Sequence, residues 1–234
     1  MELSIRVPEL VRALQRVQGI VEKKTTMPIL ANALIKSKGK DAITVSATDL
    51  EIGLTADYEA EIIKSGAMTL GAKALYDIVR SLPGDTVTLK QTTNQWVEIS
   101  CGKVKYRVVG MGAESFPTLP SFEAVPFFAV EPRVFREMID KTLYAVSTDE
   151  TRYNLTGVYC EPVQGTNGLR MVATDGHRLS VIERPTQSTP VMKEGVIIPR
   201  KGLVGVKKLL EDGNDGGNLG FIDNSAGFEK DGIT

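Results

Sequence analysis

A chain of 234 residues with 28 basic and 29 acidic side chains is close to electroneutral. Its overall charge therefore does not draw it to nucleic acid, and any affinity for phosphates has to come from a local basic surface. The length suits one or two domains with cores of their own, and the composition excludes a disordered or fibrous chain. Cys101 and Cys160 are too few for a secreted disulfide framework and are read as small buried hydrophobes in a reducing compartment. Met1-Glu2-Leu3-Ser4-Ile5-Arg6 lacks the charged leader and apolar run of a signal peptide. No apolar stretch approaches the ~20 residues that span a bilayer. A soluble, cytoplasmic protein without membrane association is expected.

In chain order, Pro8 to Gln18 places Leu10, Val11, Leu14 and Val17 at helical spacing, with proline suited to the first turn and Gly19 to the stop. From Glu51 to Ile62, Ile52, Leu54, Ala56, Tyr58, Ala60 and Ile62 alternate with polar residues, the period of a long half-buried strand. Ala72 to Leu82 carries Leu75, Ile78, Val79 and Leu82 on one helical face, and Pro83-Gly84 ends it. Thr86 to Lys90 alternates again. Val97, Ile99 and Cys101 then face Val104, Tyr106 and Val108 across a turn at Gly102, which reads as a hairpin. Two more amphipathic helices follow, Pro132 to Ala145 and Lys201 to Leu210, then strands near Leu219 to Ile222 and near Phe228. The class is α+β with antiparallel sheets.

The elements repeat. Pro8 matches Pro132, Leu30 matches Leu155, Ala47-Thr48-Asp49 matches Ala173-Thr174-Asp175, and Lys73 matches Lys201, at offsets of 124, 125, 126 and 128. The order is kept and the offset drifts little, so two homologous domains are expected, residues 1–122 and 123–234, joined in the Pro120 to Pro126 stretch. Each domain also looks doubled within itself: Leu3-Ser4-Ile5-Arg6 leads into its first helix as Met68-Thr69-Leu70 leads into its second. Nothing after Phe228 matches the last strand of the first domain, so the second domain reads as incomplete at its C-terminus, with an open sheet edge.

An enzyme would have to use His177, the one histidine, with Asp175 as orienter and Cys160 or a serine as nucleophile. Against this, the repeat partner Asp49 is followed by Leu50-Glu51, with no histidine. A duplicated Thr-Asp suits turn hydrogen bonds better than chemistry. The cysteines and histidine have no metal-ligand spacing, Gly213 to Gly220 lacks the lysine of a phosphate loop, and Glu51, Asp57, Glu59 and Glu61 spread along a solvated strand face. No metal or cofactor is expected. Cations recur on the helices: Arg12 and Arg16, Lys73 and Arg80, Arg133, Arg136 and Lys141, and Lys201, Lys207 and Lys208. If these helices line one surface, it attracts phosphates without reading bases.

Ala173-Thr174-Asp175-Gly176-His177-Arg178-Leu179 resembles a signature of the bacterial sliding-clamp family, the beta subunits of DNA polymerase III. So do Met27-Pro28-Ile29-Leu30, Ala47-Thr48-Asp49-Leu50-Glu51, Arg152-Tyr153-Asn154-Leu155-Thr156-Gly157 and Ile198-Pro199-Arg200-Lys201-Gly202, in order along nearly the whole chain. The resemblance implies repeated DNA-clamp domains, with antiparallel sheets outside and two helices per domain on the inner face. It implies a non-catalytic processivity factor that encircles duplex DNA as a head-to-tail homodimer. Its partners would be the polymerase III alpha subunit, the clamp loader and other clamp-binding polymerases and repair proteins. DNA-contacting positions would be Lys24, Lys73, Arg152, Tyr153, Arg200 and Lys201. A pocket for partner peptides would include Leu155, Thr174, Gly176, His177, Arg178 and Leu179. Asn154, where relatives carry a second tyrosine, and the nearby Asp149 weaken the case for single-strand contact at that loop. The third domain of the family has no counterpart here, so the chain is expected not to close a ring. An alternative is a clamp-derived peptide-binding module that sequesters a polymerase or loader without encircling DNA.

Overall fold

A computed structural model describes residues 1–21, 26–122, 125–187, 190–192, 194–211, 216–222 and 225–234. They form two compact units, Met1–Leu119 and Pro120–Gly232. In the first unit the order is β1 (Glu2–Arg6), α1 (Val7–Val17), β2 (Asn32–Lys38), β3 (Ala42–Thr48), β4 (Gly53–Glu59), β5 (Glu61–Lys64), β6 (Ala67–Gly71), α2 (Ala72–Val79), β7 (Thr86–Gln91), β8 (Trp96–Cys101) and β9 (Val104–Val109). One sheet runs β4-β3-β2-β6 and the other β5-β1-β7-β8-β9, antiparallel throughout.

This order exposes the inner doubling. The meander β2-β3-β4 is completed by β6, the strand that leads into α2, while the meander β7-β8-β9 is completed by β1, the strand that leads into α1. Each half thus lends its first strand to the other half's sheet, and α1 packs against α2. Pro8 stands in the first turn of α1, where its missing N–H costs nothing. Leu10, Ala13, Leu14 and Val17 turn one stripe of α1 fully inward. The hairpin register is the expected one: Val97 pairs with Val108, Ile99 with Tyr106 and Cys101 with Val104.

The alternating run from Glu51 to Ile62 is not one strand. It divides at the buried Ala60: β4 belongs to the four-stranded sheet, whereas β5 pairs with β1 in the other. The Ala60 and Ile62 amides donate to the Asp41 and Lys40 carbonyls, which carries the chain across the bend. Period-two alternation survives such a switch because both sheets bury the same face of the run, so the pattern could not mark the break.

The second unit contains β10 (Phe127–Val130), α3 (Pro132–Leu143), β11 (Gly157–Val163), β12 (Gly168–Thr174), β13 (Leu179–Pro185), β14 (Val196–Pro199), α4 (Arg200–Glu211), β15 (Gly217–Ile222) and β16 (Ser225–Glu229). Its sheet β13-β12-β11-β14 repeats β4-β3-β2-β6, and β10-β15-β16 repeats β1-β7-β8. Among the described residues no counterpart of β9 follows β16. Glu131 caps α3, its carboxylate accepting from the Arg133 and Val134 amides at 3.3 and 2.9 Å. Phe135, Met138 and Ile139 from α3 and Leu203 from α4 pack on Cys160, Leu169, Met171 and Ile182. Each large apolar side chain so buried contributes roughly 1.5–3 kcal/mol. The helices therefore cover one face of the sheet, and the other face of β13-β12-β11-β14 is left to carry Leu179, Val181, Val172, Tyr159 and Ile197.

Candidate functional site

The duplicated Thr-Asp forms the same turn twice. After β3, the Thr48 hydroxyl donates to the Ile52 carbonyl and accepts from the Leu50 amide, while Asp49 Oδ1 accepts from the Glu51 and Ile52 amides. After β12, the Thr174 hydroxyl donates to the Arg178 carbonyl and accepts from the Gly176 amide, while Asp175 Oδ1 accepts from the His177 and Arg178 amides. All eight bonds lie between 2.7 and 3.1 Å. Both turns need a left-handed residue, and the two units supply it differently: Leu50 at φ +79° and Gly176 at φ +89°.

The turn presents the expected pocket residues of the second unit. Gly176, His177, Arg178 and Leu179 are exposed, and Leu179 is 66% exposed despite being apolar. Leu155 lies half-buried in a short 3-10 turn, Tyr153–Leu155. Its amide donates to the Arg152 carbonyl, as the Leu30 amide donates to Met27 in the first unit. Arg178 is held on three sides. Its Nε donates to Asp175 at 2.9 Å, an Nη donates to the Tyr144 carbonyl, and its guanidinium lies 5.3 Å from the Tyr144 ring centre. The backbone N–H groups of His177 and Arg178, with the Arg178 guanidinium, hold the Asp175 carboxyl below the usual range. Arg152 lies against Gly176: a Cβ there would stand 3.3 Å from its Nη1. Leu155, Thr174, Gly176 and Arg178 are thus brought to one region with Arg152. Tyr144 belongs there too, and its only sequence signal is an aromatic in the last turn of the expected Pro132 to Ala145 helix, which the structure ends at Leu143.

The expected DNA contacts divide. Lys24 lies outside the described residues. Arg152, Tyr153, Arg200 and Lys201 gather at one end of the second unit, where Gly157 pairs with Pro199 and the Arg200 amide donates to the Thr156 carbonyl. Tyr153 is 76% exposed. Arg152, however, is paired with Asp149 at 3.4 Å, which draws on the charge a phosphate would use. Lys73 is exposed on the first turn of α2.

Many of the helix cations are engaged within the fold, by a hydroxyl or by carboxylates. Arg16 donates to the Tyr58 hydroxyl. Arg136 pairs with Asp140 and Glu211, Lys141 with Glu137, and Lys207 with Asp140. The cations expected on every helix are there, but acids one turn away on the same helix or on its neighbour pair with several of them. Lys73, Arg133, Arg200 and Lys208 remain exposed and without an ion pair among the described residues. α4 itself carries the cations Arg200, Lys201, Lys207 and Lys208 and one acid, Glu211.

The geometry does not join His177, Asp175 and Cys160 into a nucleophilic arrangement. Cys160 is fully buried, and burial pushes its thiol up to about 12, far from a thiolate nucleophile. Asp175 accepts from backbone amides and Arg178 rather than from an imidazole. No helix of the described residues is long and apolar enough to cross a membrane.

Comparison with known proteins points one way. Residues 1–120 match the family model of the DNA polymerase III beta subunit N-terminal domain, and residues 129–234 match that of its central domain. The beta sliding clamp of Caulobacter vibrioides is 37% identical over 233 residues, covering 98% of this chain and 62% of the relative. That of Pseudomonas aeruginosa is 33% identical, covering 94% and 60%. The crystal structure of the Caulobacter crescentus sliding clamp superposes with a TM-score of 0.91 at 36% identity, over 100% of this chain and 64% of that one. The Bacillus subtilis clamp does so at 0.92 and 26% identity, over 100% and 63%. The chain thus spans a little over three fifths of the length of the curated relatives it matches.

Proposed function

This chain belongs to the DNA polymerase III beta subunit family, and on that premise we propose that it serves as a sliding clamp of bacterial DNA replication. It works in the cytoplasm as a non-catalytic processivity factor that holds partners on duplex DNA without reading sequence. The observation that carries this reading is the set of exposed, unneutralised cations on the helices, Lys73 on α2, Arg133 on α3, and Arg200 and Lys208 on α4. Cations on rigid helices attract phosphates, and with no side chain inserted into a groove the register stays free, so the protein can slide. Tyr153 and Lys201 complete the DNA-facing set, with Arg152 weakened by Asp149. Residues 1–122 and 123–234 are read as the first two clamp domains.

With a third clamp domain present, ring closure in this reading uses sheet edges. β9 ends its sheet, and although Tyr106 lies on the face that carries Ile99 into the core, it is 41% exposed. An edge strand with an uncovered apolar side chain is a surface for pairing with another chain. The second unit's pocket, Leu155, Thr174, Gly176, His177, Arg178 and Leu179, takes short apolar motifs of the polymerase III alpha subunit, the clamp loader and repair proteins, with Leu179 the principal anchor.

Retention on nicked circular DNA, before and after linearisation, tests the proposal. Both this chain and a version carrying a third clamp domain after Thr234 are to be measured. Release from linear but not circular DNA by the longer version supports topological clamping. Equal retention on both by every version removes it, and leaves a peptide-binding module that sequesters polymerase or loader.

A further inference from the structure

The two units build the seam between their helices from different chemistry. The buried stripes of α1 and α3 align at a constant offset of 125: Leu10 with Phe135, Leu14 with Ile139 and Val17 with Thr142. On the other helix of each unit the offset is 128: Leu75 with Leu203, and Leu82, just past α2, with Leu210. In the second unit four charged side chains bridge the seam in alternating order. Glu211 of α4 pairs with Arg136 of α3 at 3.0 Å, and Arg136 lies 4.0 Å from Asp140 on its own helix. Asp140 in turn accepts from Lys207 of α4 at 2.5 Å. At the aligned positions the first unit has Pro83, Val11, Gln15 and Val79, none of them charged.

A packed helix pair does not require this ladder, since α1 and α2 pack without one. The side chains of Arg136, Asp140 and Glu211 are close to half exposed, and ion pairs so exposed contribute little to stability because water screens them. What the ladder changes is local charge. Two acids set against two cations bring the seam to zero. Arg133, one turn before Arg136, and Lys208, next to Lys207, stand exposed on the same two helices. A phosphate that engages Lys207 has to displace the Asp140 carboxylate and leaves it bare. One anion replaces another on the ammonium, and the displaced one then repels the phosphate beside it.

We propose that Asp140 and Glu211 stand in for DNA phosphates on the α3–α4 seam and so limit how tightly the second unit holds duplex DNA. This assignment rests on the clamp reading and gives a role to two acids which that reading leaves out. The unpaired cations make the helices attract the backbone, and the two acids cap the attraction. Each cation they occupy is one phosphate fewer to neutralise, which keeps the hold weak enough for movement along the duplex. Asp140 is the principal member because it faces both cations, whereas Glu211 faces Arg136.

The probe is a fluorescein-labelled DNA duplex of arbitrary sequence, titrated with the full chain by anisotropy at several salt concentrations. Asp140→Asn should bind on the order of tenfold more tightly at about 50 mM salt, with a slope of log affinity against log salt steeper by about 0.9. Adding Glu211→Gln should steepen it by about 1.8 in all. Lys207→Gln in the Asp140→Asn background should restore the parent's slope. Asp57→Asn, which removes an acid paired with Lys38 on the sheet, is the control for net charge and should leave the slope unchanged. Asp140 and Glu211 are exposed, so circular dichroism of their variants should match the parent. A slope that responds to Lys73→Glu but not to Asp140→Asn overturns this inference alone. A gain matched by Asp57→Asn, or one that survives Lys207→Gln, also overturns it, because overall charge would then account for the change. Absence of duplex binding by every version overturns it together with the clamp reading. The expected gain without selective retention on circular DNA removes the clamp and leaves the limit on DNA binding standing.

Discussion

At the scale of single residues, the two Thr-Asp turns act as an internal control. Thr174→Ala and Thr48→Ala each remove a donated and an accepted hydrogen bond from the same place in homologous turns. Each is expected to lower stability by about 1–2 kcal/mol in urea unfolding. The left-handed position should separate the units. Leu50 holds φ +79° with its side chain 60% exposed, so Leu50→Gly relieves strain without removing packing and should stabilise by ~0.5–1 kcal/mol. Gly176→Ala, at φ +89°, should cost about as much in the opposite direction. Equal signs for the two substitutions would show that the turns are not equivalent. The architectural role of Thr-Asp was legible from its duplication. The grip of Tyr144 on Arg178 was not, because the two residues lie 34 apart in sequence.

At the scale of elements, charge pairs tie the helices to the sheet. Glu137 on α3 accepts from Arg184 of β13 through both oxygens and pairs with Lys141 one turn on. The Arg184 hydrogen bonds, then those of Lys141, hold its carboxyl at about 2 instead of the ordinary 4.5. A carboxyl depressed in the folded state lends stability that is complete above its ordinary value and is lost as pH falls toward its folded value. The difference in melting temperature between the parent and Glu137→Gln should therefore be constant above about pH 5 and shrink from there toward pH 2. A difference that persisted unchanged at pH 2 would place the effect in packing. Lys230, beyond β16, is 4% exposed and donates to the Leu209 carbonyl at the end of α4. Lys230→Ala should destabilise by ~1–3 kcal/mol, read in the same denaturation, because it removes a part-buried hydrogen bond and the packing of a buried side chain. The four helices were visible as apolar stripes at 3.6-residue spacing. The division of the Glu51 to Ile62 run between two sheets was not, since alternation reports which face is buried and not which strand is the neighbour.

At the scale of the whole molecule, a net charge of −1 makes DNA affinity a matter of where the cations stand. Lys73→Glu, Arg200→Glu and Lys208→Glu should each weaken duplex binding evenly across sequences. Each should also reduce the slope of log affinity against log salt by about 0.9 for every phosphate left unneutralised. Arg136→Glu and Lys207→Glu, whose parents already face carboxylates, should change the slope less. Fluorescence titration at several salt concentrations separates the two groups, and equal slopes would remove the helices as the DNA face. The sequence by itself determined the repeat, the helices, the turn chemistry and the family, because these depend on local periodicity and on residues close together in the chain. Only the tertiary structure decided which cations are neutralised within the fold and how each half lends a strand to the other's sheet. Those outcomes depend on groups far apart in sequence meeting in space, and no local pattern records them.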